Sequence, residues 1–436
     1  MSVLDPLSSF WYSDIRGICA VMSRQFKFAV VASSTCLVAL LLFGAVYARS
    51  ASTDGPYNQL GVYTEVLERI KADYVEEPDM KAVTLGAING LLESLDPYAS
   101  YLNADQYKQY LKEKDVPKAD VGLILSKRFG YLGIIDSIPG SPAAKAGLVT
   151  GTVVESINNV SSRDMPLAFA GILLKGEAGT TVDVSVLRPG KSEAQKVTLT
   201  RAQIAYPAVM ARMLPDQIGL IQVETLVDNR VDEVAAKVKE LEKQGAKRLI
   251  LDLRHCATGS PEAGIELANL FEDKGLITYS LGQRMSRQNH DAQASKAITK
   301  LPLAVITDRA TAGGSEIAAA ALEGTRAQVV GERTYGDAAI RKPVTLDDGS
   351  AIILSVAKFY SPDGKAIQDN GVTPTVTQLE PEATTDLDDD SAASPAVPAA
   401  KPGEDLLLEK AIDTLKNHPV ARNHVPRPAG SLRRAG

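Results

Sequence analysis

The chain has 436 residues, enough for two or three domains and a sizeable buried core. Hydrophobic residues make up 45% and charged residues 23%, a globular mixture that excludes wholesale disorder. The net charge is −6, and residues 379–400 hold six acids (Glu380, Glu382, Asp386, Asp388, Asp389, Asp390) and no base, so the rest is close to neutral. A chain without a basic surplus does not bind nucleic acid by neutralising phosphates. The three cysteines are Cys19, Cys36 and Cys256, the first two in or before an apolar N-terminal stretch. The folded part therefore has no internal disulfide, and with no CxxC pair neither a metal nor a cofactor is expected.

Residues 28–47 carry no charge and follow Arg24 and Lys27. Twenty such residues rise about 30 Å as a helix, one hydrocarbon thickness. The basic flank keeps the N-terminus cytoplasmic and places the bulk of the protein on the exported, periplasmic or extracytoplasmic side. Two readings fit: a signal peptide cleaved after Val46-Tyr47-Ala48, or a retained inner-membrane anchor. The stretch starts late for a leader, which is explained if translation begins at Met22 rather than Met1.

Beyond this leader, 1–50, residues 57–113 predict a helical N-terminal region. Leu60, Tyr63, Leu67, Ile70 and Tyr74 recur at spacings of three and four, and a second amphipathic run covers 82–95. Residues 118–201 change to short β-runs with turn glycines, at 121–125, 131–135, 153–157 and 182–187. Residues 205–378 alternate strands with helices: strands at 218–223 and 248–253, with a helix at 231–244 between them. The Pro/Ala/Asp-rich segment 379–403 reads as a disordered acidic linker. The end, 404–436, reads as a short amphipathic helix at 405–416 and a basic tail.

Val121-Gly122-Leu123-Ile124-Leu125, followed by Ser141-Pro142-Ala143-Ala144-Lys145-Ala146-Gly147, resembles a PDZ domain. In such domains a loop of backbone N–H groups captures a peptide's terminal carboxylate, and the peptide adds as a strand. The resemblance makes Gly122, Leu123, Ile124 and Leu125 the peptide-binding residues. Thr152 departs from it, standing where an Asp is usual.

With that module placed, the chain resembles the carboxy-terminal processing, or tail-specific, proteases. Their helical signature is matched by Gly86-Ala87-Ile88-Asn89-Gly90 and Ser94-Leu95-Asp96-Pro97-Tyr98, and the strand before the oxyanion loop by Ile250-Leu251-Asp252-Leu253-Arg254. Thr311-Ala312-Gly313-Gly314-Ser315-Glu316-Ile317 matches the nucleophile turn, and Tyr360-Ser361-Pro362-Asp363-Gly364 with Gly371-Val372-Thr373-Pro374 the closing region. The resemblance implies an α/β (α+β) protease core with an inserted β-rich PDZ domain, a helical N-terminal region and one N-terminal membrane or signal helix. It implies a serine endopeptidase whose partners are the C-terminal tails of proteins, with Ser315 as nucleophile and a desolvated lysine as base. Ser315 opens an apolar helix, where free N–H groups favour a developing oxyanion; an N-cap role alone would also suit it.

The lysine is missing. Asp337 stands at its position, and Arg341 stands where a glutamine belongs four residues later. The oxyanion loop reads Cys256-Ala257-Thr258-Gly259, so Thr258 replaces a glycine, and only Gly259 remains of the pair. An Asp337–Arg341 salt bridge is expected across the site. A Ser315–His255–Asp337 triad is the alternative base arrangement. Cys256 reads as a buried or loop cysteine rather than a thiol nucleophile. Two functions remain open: a tail-cutting endopeptidase weakened at Ser315, or an inactive homologue that binds tails as scaffold or regulator.

Overall fold

The apolar repeat at the start of the chain is helical in the computed structural model, which describes residues 24–50, 58–114, 119–128, 130–163, 165–379 and 405–417. Helix α1 (Arg24–Ser50) contains the 28–47 stretch. Among the described residues no helix is long and apolar enough to cross a membrane. Helix α2 (Asn58–Asp73) carries Leu60, Tyr63, Leu67 and Ile70. Residues Met1–Thr84 form one unit and Leu85–Gly436 another. The linker beyond residue 379 and the tail beyond Asn417 fall outside the described residues.

The second predicted helix is α3 (Met80–Glu93), followed by strand β1 (Ser100–Leu102) and helix α4 (Ala104–Lys114). The strand corrects the all-helical reading of 57–113. Its three residues have no periodicity to read, and they are extended because they pair antiparallel with residues 351–353, far along the chain.

The β-rich module comes next. Its strands are β2 (Leu123–Arg128), β3 (Tyr131–Ser137), β4 (Val153–Ile157), β5 (Val160–Ser161), β6 (Thr181–Leu187) and β7 (Gln195–Thr200), with helix α5 (Pro142–Lys145) before β4 and helix α6 (Leu167–Leu174) before β6. The sheet runs β2-β3-β4-β6-β7, with β5 on β4, so β2 is an edge strand. Val182, Val184 and Val186 alternate along β6 and are all buried, as a sheet with one packed face requires. They pack with Val121, Leu132, Leu148 and Val154 in a core of the module's own.

The next sheet positions the site. Strands β8 (Met210–Leu214), β9 (Ile218–Gln222), β10 (Arg248–Asp252), β13 (Leu303–Thr307), β14 (Ala327–Gly331) and β17 (Val376–Thr377) lie in the order β17-β14-β13-β10-β9-β8. All pairs are parallel except β8 with β9. Helices α7 (Arg230–Lys243), α8 (Pro261–Asn269) and α9 (Gly314–Leu322) cover one face, packing with Leu249, Leu251 and Val305. The alternate residues Ile250, Ala304 and Ile306 face the other side and meet Leu407, Leu408, Ala411 and Leu415 of helix α10 (Leu406–Asn417). Apolar side chains on both faces explain why these strands read as continuous apolar runs. The terminal helix, expected as a separate element, is therefore part of this core. A third sheet, β1-β16-β11-β12 with β15 on β16, contains β11 (Leu276–Leu281), β12 (Gln288–Asp291), β15 (Ala339–Thr345) and β16 (Ala351–Tyr360).

Candidate active site

Two loops at the carboxyl ends of β10 and β13 meet, the place where parallel sheets form sites. The loop after β13 turns on Asp308, whose carboxylate accepts from the backbone of Ala310 at 3.1 Å and Thr311 at 2.8 Å. Thr311 Oγ1 reaches across to Leu253 O at 2.9 Å, and Ala312 N donates to Cys256 O at 3.1 Å, tying the two loops together. Gly313, at φ 71°, then turns the chain into α9. Gly314 packs against the start of α8, where a Cβ would lie 2.4 Å from Ser260 O. The two glycines before Ser315 thus serve conformation at one position and close approach at the other.

Ser315 sits in the first turn of α9 and is fully buried. Its hydroxyl has two acceptors, Cys256 O at 2.5 Å and Ala312 O at 2.8 Å. Neither carbonyl takes a proton, so the arrangement holds the hydroxyl without activating it.

The residue beside it organises the site. Glu316 is completely buried, and its carboxylate accepts from Gly313 N at 3.0 Å, Thr334 Oγ1 at 2.5 Å, Gly336 N at 2.6 Å and Asp337 N at 2.7 Å. It therefore fixes the 334–337 loop on the start of α9. Sequence reading quoted Glu316 only as part of a motif and missed this role; a glutamate three residues into a helix begun by glycine was the available signal. Burial pushes its carboxyl up to about 7, against the pull of Thr334, Asp337 and Gly336. The folded form holds this proton more tightly than the unfolded one, so the contribution to stability is complete below about pH 4.5 and lost as pH rises through about 7. Melting temperatures between those values should fall more steeply with pH in the native protein than in Glu316→Gln. Parallel slopes would show that Glu316 does not carry the dependence.

Asp337 and Arg341 form the expected ion pair. Arg341 also lies over the ring of Tyr98, its Cζ 3.9 Å from the centroid. Tyr98 is a second residue that sequence reading left without a role. Its hydroxyl is buried without a hydrogen-bond partner, and burial, with Asp337 nearby, holds it protonated far above the usual tyrosine range. Tyr98 comes from the helical signature, far earlier in the chain than the ion pair it supports, and only the fold brings them near.

The triad alternative is not assembled. The ring nitrogens of His255 face Asp136 Oδ2 at 3.0 Å and Asp308 Oδ2 at 3.6 Å, while Ser315 donates to main-chain carbonyls. Thr258 Oγ1 lies 2.7 Å from Thr225 Oγ1, and Thr258 O accepts from Leu226 N at 2.9 Å. Gly259, at φ 135°, passes so close to Leu226 that a Cβ would fall 2.5 Å from the leucine Cβ. Cys256 is fully buried, and burial pushes its thiol well above the usual range, which suits an inert cysteine.

In the module, Leu123, Ile124 and Leu125 lie in β2 rather than in a loop, and Leu123 and Leu125 lean on the module's core. Gly122 takes φ 80°, and its N–H donates to Asp120 Oδ1 at 3.1 Å, as does that of Val121 at 2.6 Å. One of the expected loop amides, that of Gly122, is thus already occupied by a carboxylate of the chain itself, together with the amide of its neighbour Val121.

Residues 217–378 match Peptidase family S41. Over 375 residues the chain is 32% identical to the carboxy-terminal processing protease CtpA of Bacillus subtilis, covering 83% of this chain and 79% of that protein. The chain belongs to the carboxy-terminal processing proteases. A carboxyl-terminal-processing protease of Picosynechococcus is 30% identical over 345 residues, 77% of this chain and 81% of that one. The solved photosystem II D1 C-terminal processing protease superposes with a TM-score of 0.61 at 28% identity, covering 72% of this chain and 86% of that chain. The mixed α/β core is therefore the fold of Peptidase family S41, within which Ser315 and Asp337 stand as described.

Proposed function

We propose that this carboxy-terminal processing protease homologue binds the C-terminal tails of exported proteins through the module at 118–201, read as a PDZ domain, and hydrolyses them weakly or not at all. The observation that carries the second half is the hydroxyl of Ser315, which is directed at two main-chain carbonyls while Asp337 is committed to Arg341. Carboxylates ordinarily titrate near 4 and drive little proton transfer from a serine, and losing a general base costs about 10²–10⁴ in rate. Linked losses in one constellation are not additive, so the expected activity runs from weak to undetectable.

Tail binding needs no lysine. The open edge of β2 beside α6 suits strand addition, which draws its affinity from main-chain hydrogen bonds. The N-terminal apolar stretch with its basic flank supports export. Calorimetry on the full chain should give a dissociation constant of about 1 μM for a peptide with a free apolar C-terminus, and at least ~10-fold weaker binding for its amide. Equal affinity for the two would remove the tail-binding reading. Asp120→Ala frees the amides of Val121 and Gly122 and should tighten the acid peptide several-fold. Cleavage of an unfolded protein with an apolar C-terminus that disappears in Ser315→Ala would instead establish a working endopeptidase.

A further inference from the structure

His255 lies where the module meets the core. Its Nδ1 is 3.0 Å from Asp136 Oδ2 of β3, and its Nε2 is 3.6 Å from Asp308 Oδ2 of the loop after β13. Its backbone N–H adds a further contact to the Asp308 carboxylate at 3.2 Å. The backbone there is left-handed, at φ 58°, unusual for histidine and held by these partners. The next residue, Cys256, supplies the carbonyl that Ser315 and Ala312 share. A side chain reaching out of the loop after β10 thus grips the strand beside β2, with Asp136 in register with Ile124.

We propose that His255 is a positioning residue, a protonation-dependent clasp that holds the module's β3 on the nucleophile loop. Both ring nitrogens face carboxylates, which only accept hydrogen bonds, and only the imidazolium carries N–H at both positions. A cavity of about 230 Å³ beside the ring is lined by Gln222, Val223, Glu224, Asp252, Arg254 and His255 itself. Of the groups facing it, Asp136 comes from β3, Asp308 from the loop after β13, Glu224 from the loop after β9, and Asp252 and Arg254 from the end of β10. Arg254 is bridged by Asp252 at 2.7 Å and Asp405 at 2.9 Å, so the acids outnumber the bases around the imidazole. Burial raises the carboxyls of Asp308 and Glu224, and the charge of His255 draws both back down. The sign follows: the clasp is closed while the imidazole is charged and opens as pH rises through its titration. This holds whether or not the module binds tails.

The test is hydrogen exchange on the full chain, expressed as protection factors so that the intrinsic pH dependence of exchange is removed. Between about pH 5.5 and pH 8, the range where an unperturbed imidazole changes charge, the amides of 254–258 and of β3 should lose about 10-fold in protection. Asp136→Asn is isosteric, and His255→Asn suits a left-handed backbone, so both variants should fold and both should show low, pH-independent protection at 254–258. Equal protection of the native protein at the two pH values overturns the proposal, as does a native pH dependence that survives in both variants.

Discussion

The variant carrying Asp337→Lys, Arg341→Gln and Thr258→Gly together should cleave an unfolded substrate about 10²–10⁴-fold faster than the parent, the span that a restored general base supplies. Three changes are needed because each residue is held by a partner of its own. Arg341 is paired with Asp337 and lies over Tyr98, so Asp337→Lys alone leaves two cations facing each other in a buried place. Their repulsion depresses the lysine, as a base requires, but it also drives the side chain away from Ser315. Arg341→Gln removes that conflict. Thr258 is bound through Oγ1 to Thr225, a side-chain tie that Thr258→Gly removes. The expected order is parent, then single variant, then triple, with Ser315→Ala abolishing the gain. Full activity in the single variant would mean that the oxyanion loop is intact as it stands. Single-turnover measurements on one substrate decide between the two.

Glu316→Ala should cost about 3–5 kcal/mol, because it leaves several buried donors without their acceptor. Four donors converge on that carboxylate, two on each oxygen: Thr334 Oγ1 and Gly336 N on Oε1, Gly313 N and Asp337 N on Oε2. Each donor left buried without an acceptor carries a penalty of about 1–3 kcal/mol, partly relieved where water enters. A fall of several degrees or more in melting temperature follows. Glu316→Gln should lie between, because either orientation of its amide turns an NH₂ toward two donors. The loss should be accompanied by faster proteolysis around 334–337, the loop the carboxylate fastens. A melting temperature within one degree of native in Glu316→Ala would show that the four hydrogen bonds are replaced by solvent at no cost.

Much of the architecture was written in local pattern. The valines of β6 alternate because one sheet face is buried, and the apolar runs of β9, β10 and β13 are continuous because both faces are. Those periods marked the core, and the resemblance to the tail-specific proteases pointed to the nucleophile turn and to the replacement at 337. The salt bridge between Asp337 and Arg341 was expected too, from two opposite charges standing at neighbouring positions of the resembled site.

Pairings between distant segments were not legible. Strand β1 is extended only because β16 lies beside it, and α10 is a core helix only because Ile250, Ala304 and Ile306 present an apolar face to it. His255 and Asp337 could have been partners by residue type, the alternative base arrangement; the fold instead sends His255 to Asp136 and Asp308. Glu316 reads as an ordinary helix-start acid until the 334–337 loop is folded over it and four donors close on one buried carboxylate. Sequence alone determined which groups the site contains and which it lacks, because residue identity and local period are properties of the chain. Only the tertiary structure decided which of them face one another, because a hydrogen bond or ion pair depends on a few ångströms set by segments tens to hundreds of residues apart.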